Sequence, residues 1–258
     1  MLAKEQAGIA YNKSEVRRRL LPLLNNRSEG SVEFKNRNIS AVLAQWNQPY
    51  IQGYLPAYNY QKSLLEEAVH AYVRSKPEVE DVFRRFAEAV PTPKEVAFES
   101  MLEEMPKKDA AWREPELMYR SPVKVNYLEV EQANRAVGKA GERIALEYER
   151  WRLIRAGKEA LADKVEWVSE TQGDGLGFDI LSRNENGTDR YIEVKTTKLT
   201  KEAPFYFTSL EYDFSKRNRK NFFMYRVFNL KTQPKLFIAL GAYDEFCHYR
   251  PTQFKGEF

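Results

Sequence analysis

The chain has one cysteine, Cys247, and two histidines, His70 and His248, in 258 residues. A single cysteine excludes a disulfide framework and a thiolate zinc cluster within the chain. Two histidines far apart in sequence leave no basis for a histidine-rich metal centre or a His-based nucleophilic triad. No stretch approaches the roughly 20 consecutive apolar residues of a membrane-spanning helix. The opening residues, MLAKEQAGIAYNK, lack the apolar core of a secretory signal. A cytoplasmic location is therefore expected. Internal repeats and low-complexity tracts are absent too.

What is present is an ordinary globular composition, 43% hydrophobic, with a formal charge of +4. That balance permits nucleic-acid binding without requiring it. The length suits one large domain or two modest ones. Residues 1–13 read as a loose arm. Helical spacing recurs over 14–24, 31–46, 61–75 and 77–90, and Pro77 suits a helix start. Residues 49–60, with Pro49, Gly53 and four tyrosines, read as an ordered loop. Tyr50, Tyr54, Tyr58 and Tyr60 either stack on bases or pack the loop onto the helices. Arg17, Arg18, Arg19, Lys35 and Arg37 give this part a basic character, offset by Glu15, Glu29 and Glu33. Prolines at 91, 93, 106, 115 and 122 mark a linker with a short helix near 94–105. The expected domains are a helical one over 1–90, a linker over 91–126 and an α/β domain over 127–258.

The second domain is expected to open with a long helix over 127–156, broken near Gly138 or Gly141 and closed by Gly157. Strands follow at 164–169, 177–182 and 190–196, the last two joined by an Asn186-Gly187 hairpin. A short strand at 205–207, a helix from Ser209 to about 219, and strands at 221–228 and 235–240 complete a mixed α/β layer.

One stretch, 173–197, stands out chemically. Strand alternation puts Ile192 and Val194 on one face, and Glu193 and Lys195 on the other. Pairing with the preceding strand brings Asp179 to that side. Two carboxylates and a lysine on a buried sheet edge are costly unless a ligand uses them. A divalent cation and a phosphate would use them. The bland alternative is a structural ion pair. Gly173-Asp174-Gly175-Leu176-Gly177 is not a phosphate-binding loop, since no helix and no Gly-Lys-Ser/Thr follows. It reads as a sharp turn, with Asp174 a turn residue. Lys216, Arg217, Arg219 and Lys220 gather at a helix end. They either balance that end's dipole or contact nucleic-acid phosphates. Asn186-Gly187-Thr188 is a hairpin turn, and Cys247-His248 is an isolated pair.

These residues resemble the PD-(D/E)XK nuclease superfamily, whose core runs helix, three strands, helix, strand. Asp179 matches its Asp, and Glu193-Val194-Lys195 its (D/E)XK. A set of words is closer still to the C-terminal domain family named after the plant protein NO VEIN. They are Gly138-x-x-Gly141-Glu142, Trp167-Val168-Ser169, Gly173 to Ile180, Ile192 to Thr197, Phe207-x-Ser209-x-x-Glu211 and Tyr225-Arg226-Val227. The likeness covers about 127–241. A segment within 31–61 is similar to one found ahead of nuclease domains in bacterial restriction proteins, which implies a targeting module.

The resemblance implies a restriction-endonuclease-like core that cleaves DNA with magnesium or manganese, in restriction or antiphage defence. It implies Asp179 and Glu193 as metal ligands, with the Val194 carbonyl, and Lys195 at the attacking water. Glu142 is the expected assisting acid, with Glu147 and Glu149 as alternatives on its helix. The implied partners are DNA, a second copy of the chain and a defence-system protein. The alternative is a DNA- or protein-binding module without turnover.

Overall fold

The structure is a computed structural model and describes residues 1–91, 96–108, 125–173, 175–231 and 233–252. Backbone contacts divide it into two units. The first comprises Met1–Val90, Leu117–Asn134 and Glu202–Pro204, and the second Pro91–Glu116, Arg135–Lys201 and Phe205–Phe258.

The first unit is helical. Its helices are α1 (Leu2–Gln6), α2 (Lys13–Leu20), α3 (Glu29–Gln45), α4 (Lys62–Ser75), α5 (Pro77–Glu88) and α6 (Tyr127–Gln132). The arm expected before residue 14 thus holds a short helix. Asn12 caps α2 and Ser28 caps α3, each through its side-chain oxygen. α3 is one continuous helix and buries Val32, Ala41, Val42 and Leu43. Burial of Val32, Val42 and Leu43 contributes on the order of 1.5–3 kcal/mol each. Tyr50 and Tyr54 are buried, and Tyr60 donates its hydroxyl to Gln45 at 2.6 Å. Packing accounts for those three loop tyrosines, whereas Tyr58 is exposed. Arg17 is paired with Glu29 and Glu33, and Arg19 with Glu15. Two of the five cations that give this part its basic character are therefore neutralised locally.

The long helix expected over 127–156 is two helices. α6 ends at Gln132, and α7 runs from Arg135 to Arg155. The break falls at 133–134, not at a glycine. α6 packs with α5 in the first unit, where Phe83 and Tyr127 rings lie 6.2 Å apart. Of the helix expected near 94–105, residues 94–95 lie outside the described residues. The remainder shows only a 3-10 turn at Phe98–Ser100.

The second unit continues with α8 (Glu159–Ala162), β1 (Glu166–Trp167), α9 (Val168–Thr171), β2 (Ile180–Arg183) and β3 (Asp189–Thr196). Then come α10 (Ser209–Arg217), β4 (Phe222–Phe228), β5 (Lys235–Leu240) and α11 (Tyr243–Phe246). The strands form one five-stranded mixed sheet in sequential order. Only β3 and β4 pair in parallel, with α10 as their crossover. The fold is thus mixed α and β.

Three strand expectations change. The strand at 164–169 is cut to two residues, because the chain turns into α9 at Val168. No strand forms at 205–207. β2 starts at Ile180, so Asp179 immediately precedes it. The hairpin is as the Asn-Gly pair dictates: Gly187 has φ +86°, and Asn186 Oδ1 accepts the Thr188 N–H at 3.1 Å.

The two sheet faces bury different cores. Ile180, Ile192, Val194, Tyr225 and Val227 pack with Val137, Ile144, Ala145 and Tyr148 of α7. On the other face Phe222, Met224, Phe228, Phe237 and Ala239 pack with Tyr243 and Phe246, joined by Tyr212 and Phe214 of α10. Glu193 and Lys195 lie beside Met224 and Arg226 in the β3–β4 register. They therefore belong to the second face.

Candidate active site

Three local devices bring the charged residues together. The first is Gly177, at φ +84°, where an added Cβ would lie 2.9 Å from Phe214 Cβ. Only glycine fits there, and the turn delivers Asp179 to the head of β2. Asp179 donates its N–H to the Ile192 carbonyl at 2.8 Å, and its Oδ2 accepts the Val194 N–H at 2.8 Å. The carboxylate is thus fastened to β3 one residue from Glu193.

The second is Gly141 on α7. A Cβ there would meet Thr196 Oγ1 at 1.8 Å. The helix backbone lies directly on β3, which carries the next residue, Glu142, to the sheet end. Glu142 Oε2 accepts the Trp167 indole N–H at 2.6 Å and the Ser169 hydroxyl at 2.5 Å. These donors come from β1 and α9, so the Trp167-Val168-Ser169 word holds the acid of the Gly-x-x-Gly-Glu word.

The third is α10. Its cap is Thr208, not Ser209: Thr208 Oγ1 accepts the Glu211 N–H at 3.2 Å. Glu211 sits at the third helical position and reaches Lys195 instead of closing a capping box. Lys195 Nζ lies 2.5 Å from Glu211 Oε2 and 2.8 Å from Glu193 Oε1.

Glu193 is 5% exposed, while Asp179 keeps partial contact with solvent. Burial pushes the Asp179 carboxyl well above its usual range, and the charges of Glu193 and Glu142 push it further. Lys195 and the Val194 N–H oppose that shift. Burial likewise raises Glu193 to about 7, with Glu211 and Glu142 adding to it and Lys195 opposing. Burial lowers Lys195, but Glu193 and Glu211 outweigh it, so its pKa rises and it stays protonated at neutral pH.

Lys195 thus bridges two acids, Glu193 and Glu211, while Asp179 is fastened to the same strand beside Glu193. Among the described residues, no group of three or more His, Cys, Asp or Glu side chains is placed to hold a metal ion. The donor chemistry nevertheless fits a hard divalent cation: oxygen ligands, two adjacent carboxylates, and a mutual repulsion that a cation relieves. Asp179 and Glu193 would hold it. Val194, expected as a ligand through its carbonyl, meets Asp179 through its N–H.

The other candidates lie apart from this arrangement. Glu149 belongs to a separate buried network: two bonds from Arg152, one each from Ser182 and Tyr225, and an ion pair with Arg190. Those cations hold it below the usual carboxylate range although burial opposes them. Glu147 is exposed. In the basic cluster, Lys216 pairs with Asp244, Arg219 pairs with Glu245, and Arg217 bonds the Asp213 carbonyl. Lys216, Arg217, Arg219 and Lys220 together line one surface depression of about 450 Å³. Asp174 lies outside the described residues. Sequence reasoning missed Arg226. It is fully buried, neighbours Lys195 in the register, and has its guanidinium 5.6 Å from the Phe205 ring. Its signal was its place in the Tyr-Arg-Val word, on the same face as Lys195.

No helix among the described residues is long and apolar enough to cross a membrane. Residues 141–239 match the family model described as Protein NO VEIN, C-terminal. Protein NO VEIN-LIKE of Arabidopsis thaliana is 34% identical over 85 residues, 33% of this chain and 12% of that protein. Protein NO VEIN of the same plant is 32% identical over 90 residues, 35% of this chain and 3% of that protein. The chain thus matches only a small part of the length of these relatives. No solved structure matches. The stretch similar to the NO VEIN C-terminal family includes Glu142, Asp179, Glu193, Lys195 and Glu211.

Proposed function

We propose that this chain is a metal-dependent DNA endonuclease of the PD-(D/E)XK type, acting in restriction or antiphage defence. The observation that carries the reading is the fastening of Asp179 beside Glu193 and Lys195 at one sheet end. The element order α7, α8, β1, α9, β2, β3, α10, β4 supports it: with the four-residue helices α8 and α9 set aside, it runs helix, three strands, helix, strand, the order expected of that superfamily.

A bound magnesium or manganese ion supplies a Lewis acid and a water of lowered pKa. Asp179 and Glu193 would hold it, and Glu142, fixed by Trp167 and Ser169, would add negative charge behind them. Lys195 stays protonated through its contacts with Glu193 and Glu211, and offers its charge to the phosphate as negative charge develops there. Lys216, Arg217, Arg219 and Lys220 contact flanking phosphates.

The second reading is a DNA- or protein-binding module without turnover. It is favoured by the Lys195 ion pairs, which already occupy Glu193 and Glu211 in the free protein. The two readings separate in one assay. Supercoiled plasmid is incubated with magnesium, manganese or EDTA, and salt-dependent binding is measured on the same DNA. Metal-dependent nicking that disappears in Asp179→Ala supports the nuclease. Tight binding with no nicking at any metal concentration supports the module. Neutralising Lys216 and Arg219 is expected to flatten the logarithmic salt dependence of binding by about 0.9 for each phosphate they would otherwise neutralise.

A further inference from the structure

Tyr243 is fully buried, yet its hydroxyl has no hydrogen-bond partner among the described residues. Buried hydroxyls are nearly always satisfied, and an orphan costs stability. The ring is held firmly. It stacks on Phe207, with centroids 4.0 Å apart and planes 2° from parallel, and it packs 5.6 Å from Phe222. Phe207 immediately precedes Thr208, the cap of the helix that carries Glu211. Phe222 and Met224 share the sheet face of Glu193, and Met224 is the register neighbour of Glu193. Tyr243 therefore stands one strand across from Glu193, under the same face.

We propose that Tyr243 is a further ligand-binding residue of this site, whose hydroxyl donates a hydrogen bond to an oxygen that arrives with the cation. That oxygen is either a cation-bound water or a DNA phosphate. The inference rests on the metal-dependent reading above. Burial, and then the charges of Glu193, Glu211 and Asp179, hold the phenol well above its usual range. It is thus a permanent neutral donor beside an acidic cluster, a group that can bond an anionic or polarised oxygen without adding charge. The orphan has a cost in the free protein and a use in the loaded one.

The test is Tyr243→Phe, which keeps the ring and removes the oxygen. Manganese binding is measured by calorimetry, short-duplex binding by anisotropy in calcium, and Tm in EDTA. The expected results are a Tm equal to or above wild type and about tenfold weaker binding, equivalent to about 1.4 kcal/mol. Weakening with manganese alone makes the oxygen a water, whereas weakening only with the duplex makes it a phosphate. Wild-type affinity in both arms overturns the role of Tyr243 and leaves the metal reading standing. A lowered Tm in EDTA also overturns it, since the hydroxyl would then serve the free protein. If Asp179→Asn binds manganese as wild type does, or wild type binds none, the metal reading fails and this inference with it.

Discussion

The indole N–H of Trp167 donates to Glu142 Oε2 at 2.6 Å, which ties the shortest strand of the sheet to the acid on α7. Groups that orient a metal-facing acid are worth about 10–100-fold in affinity or activity. Trp167→Phe is therefore expected to weaken cation binding about tenfold while retaining the fold. Trp167 also becomes a reporter: manganese should change the tryptophan fluorescence of wild type and much less that of Trp167→Phe.

The Asp179 and Glu193 carboxyls set an unusual pH dependence in the absence of a cation. Their folded pKa values lie above the unfolded values of 3.8 and 4.5, with Glu193 near 7. Such groups stabilise fully below the unfolded pKa, and that stability is lost as pH rises through the folded pKa. Stability in EDTA is expected to fall as pH rises from about 4 to 7, by on the order of 3 kcal/mol. Glu193→Gln should flatten this fall, and a divalent cation should reverse it. Urea titrations at stepped pH measure all three.

Glu149 has the opposite sign. Its folded pKa is depressed, so its stabilisation is present above the unfolded value of 4.5 and is lost as pH falls below it. Removing it by Glu149→Ala leaves Arg152 and Arg190 without their buried partner. The expected cost is about 3–5 kcal/mol in urea unfolding.

Gly141→Ala tests how the helix delivers Glu142. The new methyl collides with Thr196, so a destabilisation of about 1–3 kcal/mol is expected. Adding Thr196→Ala should restore part of it, because the clashing Oγ1 and Cγ2 atoms are removed while Cβ stays at 2.8 Å. Equal unfolding midpoints for wild type and Gly141→Ala would contradict the close approach of α7 to β3.

The pattern of legibility follows from range. Alternation on β3 and the Asn186-Gly187 turn are local, and both were readable from residue order. So was the role of Gly177 in turning the chain toward Asp179. The 133–134 break was not readable, because it comes from packing α6 against α5, a contact between residues some 40 positions apart. The shortening of β1 depends on Ser169 turning back to Glu142. Ser209 looked like the cap of α10, but Thr208 has the same chemistry one residue earlier, and composition cannot separate them. Glu211 was visible only as a first-turn acid. Its meeting with Lys195 requires the β3–α10–β4 crossover. Glu142 and Glu149 are both acids on one helix, and only their surroundings tell them apart: Trp167 and Ser169 for the first, two arginines for the second.

In the proposed function, Asp179, Glu193 and Lys195 together cleave DNA. The direct measurement is conversion of supercoiled plasmid to nicked or linear forms by wild type and Lys195→Ala, in magnesium or manganese and in EDTA. Lys195→Ala must first be shown to match wild type by circular dichroism. Wild type is expected to convert the plasmid in a metal-dependent way, with conversion abolished in EDTA and reduced at least about 100-fold in Lys195→Ala, the scale of removing one charge that stabilises the transition state. Equal conversion by the two proteins would contradict it.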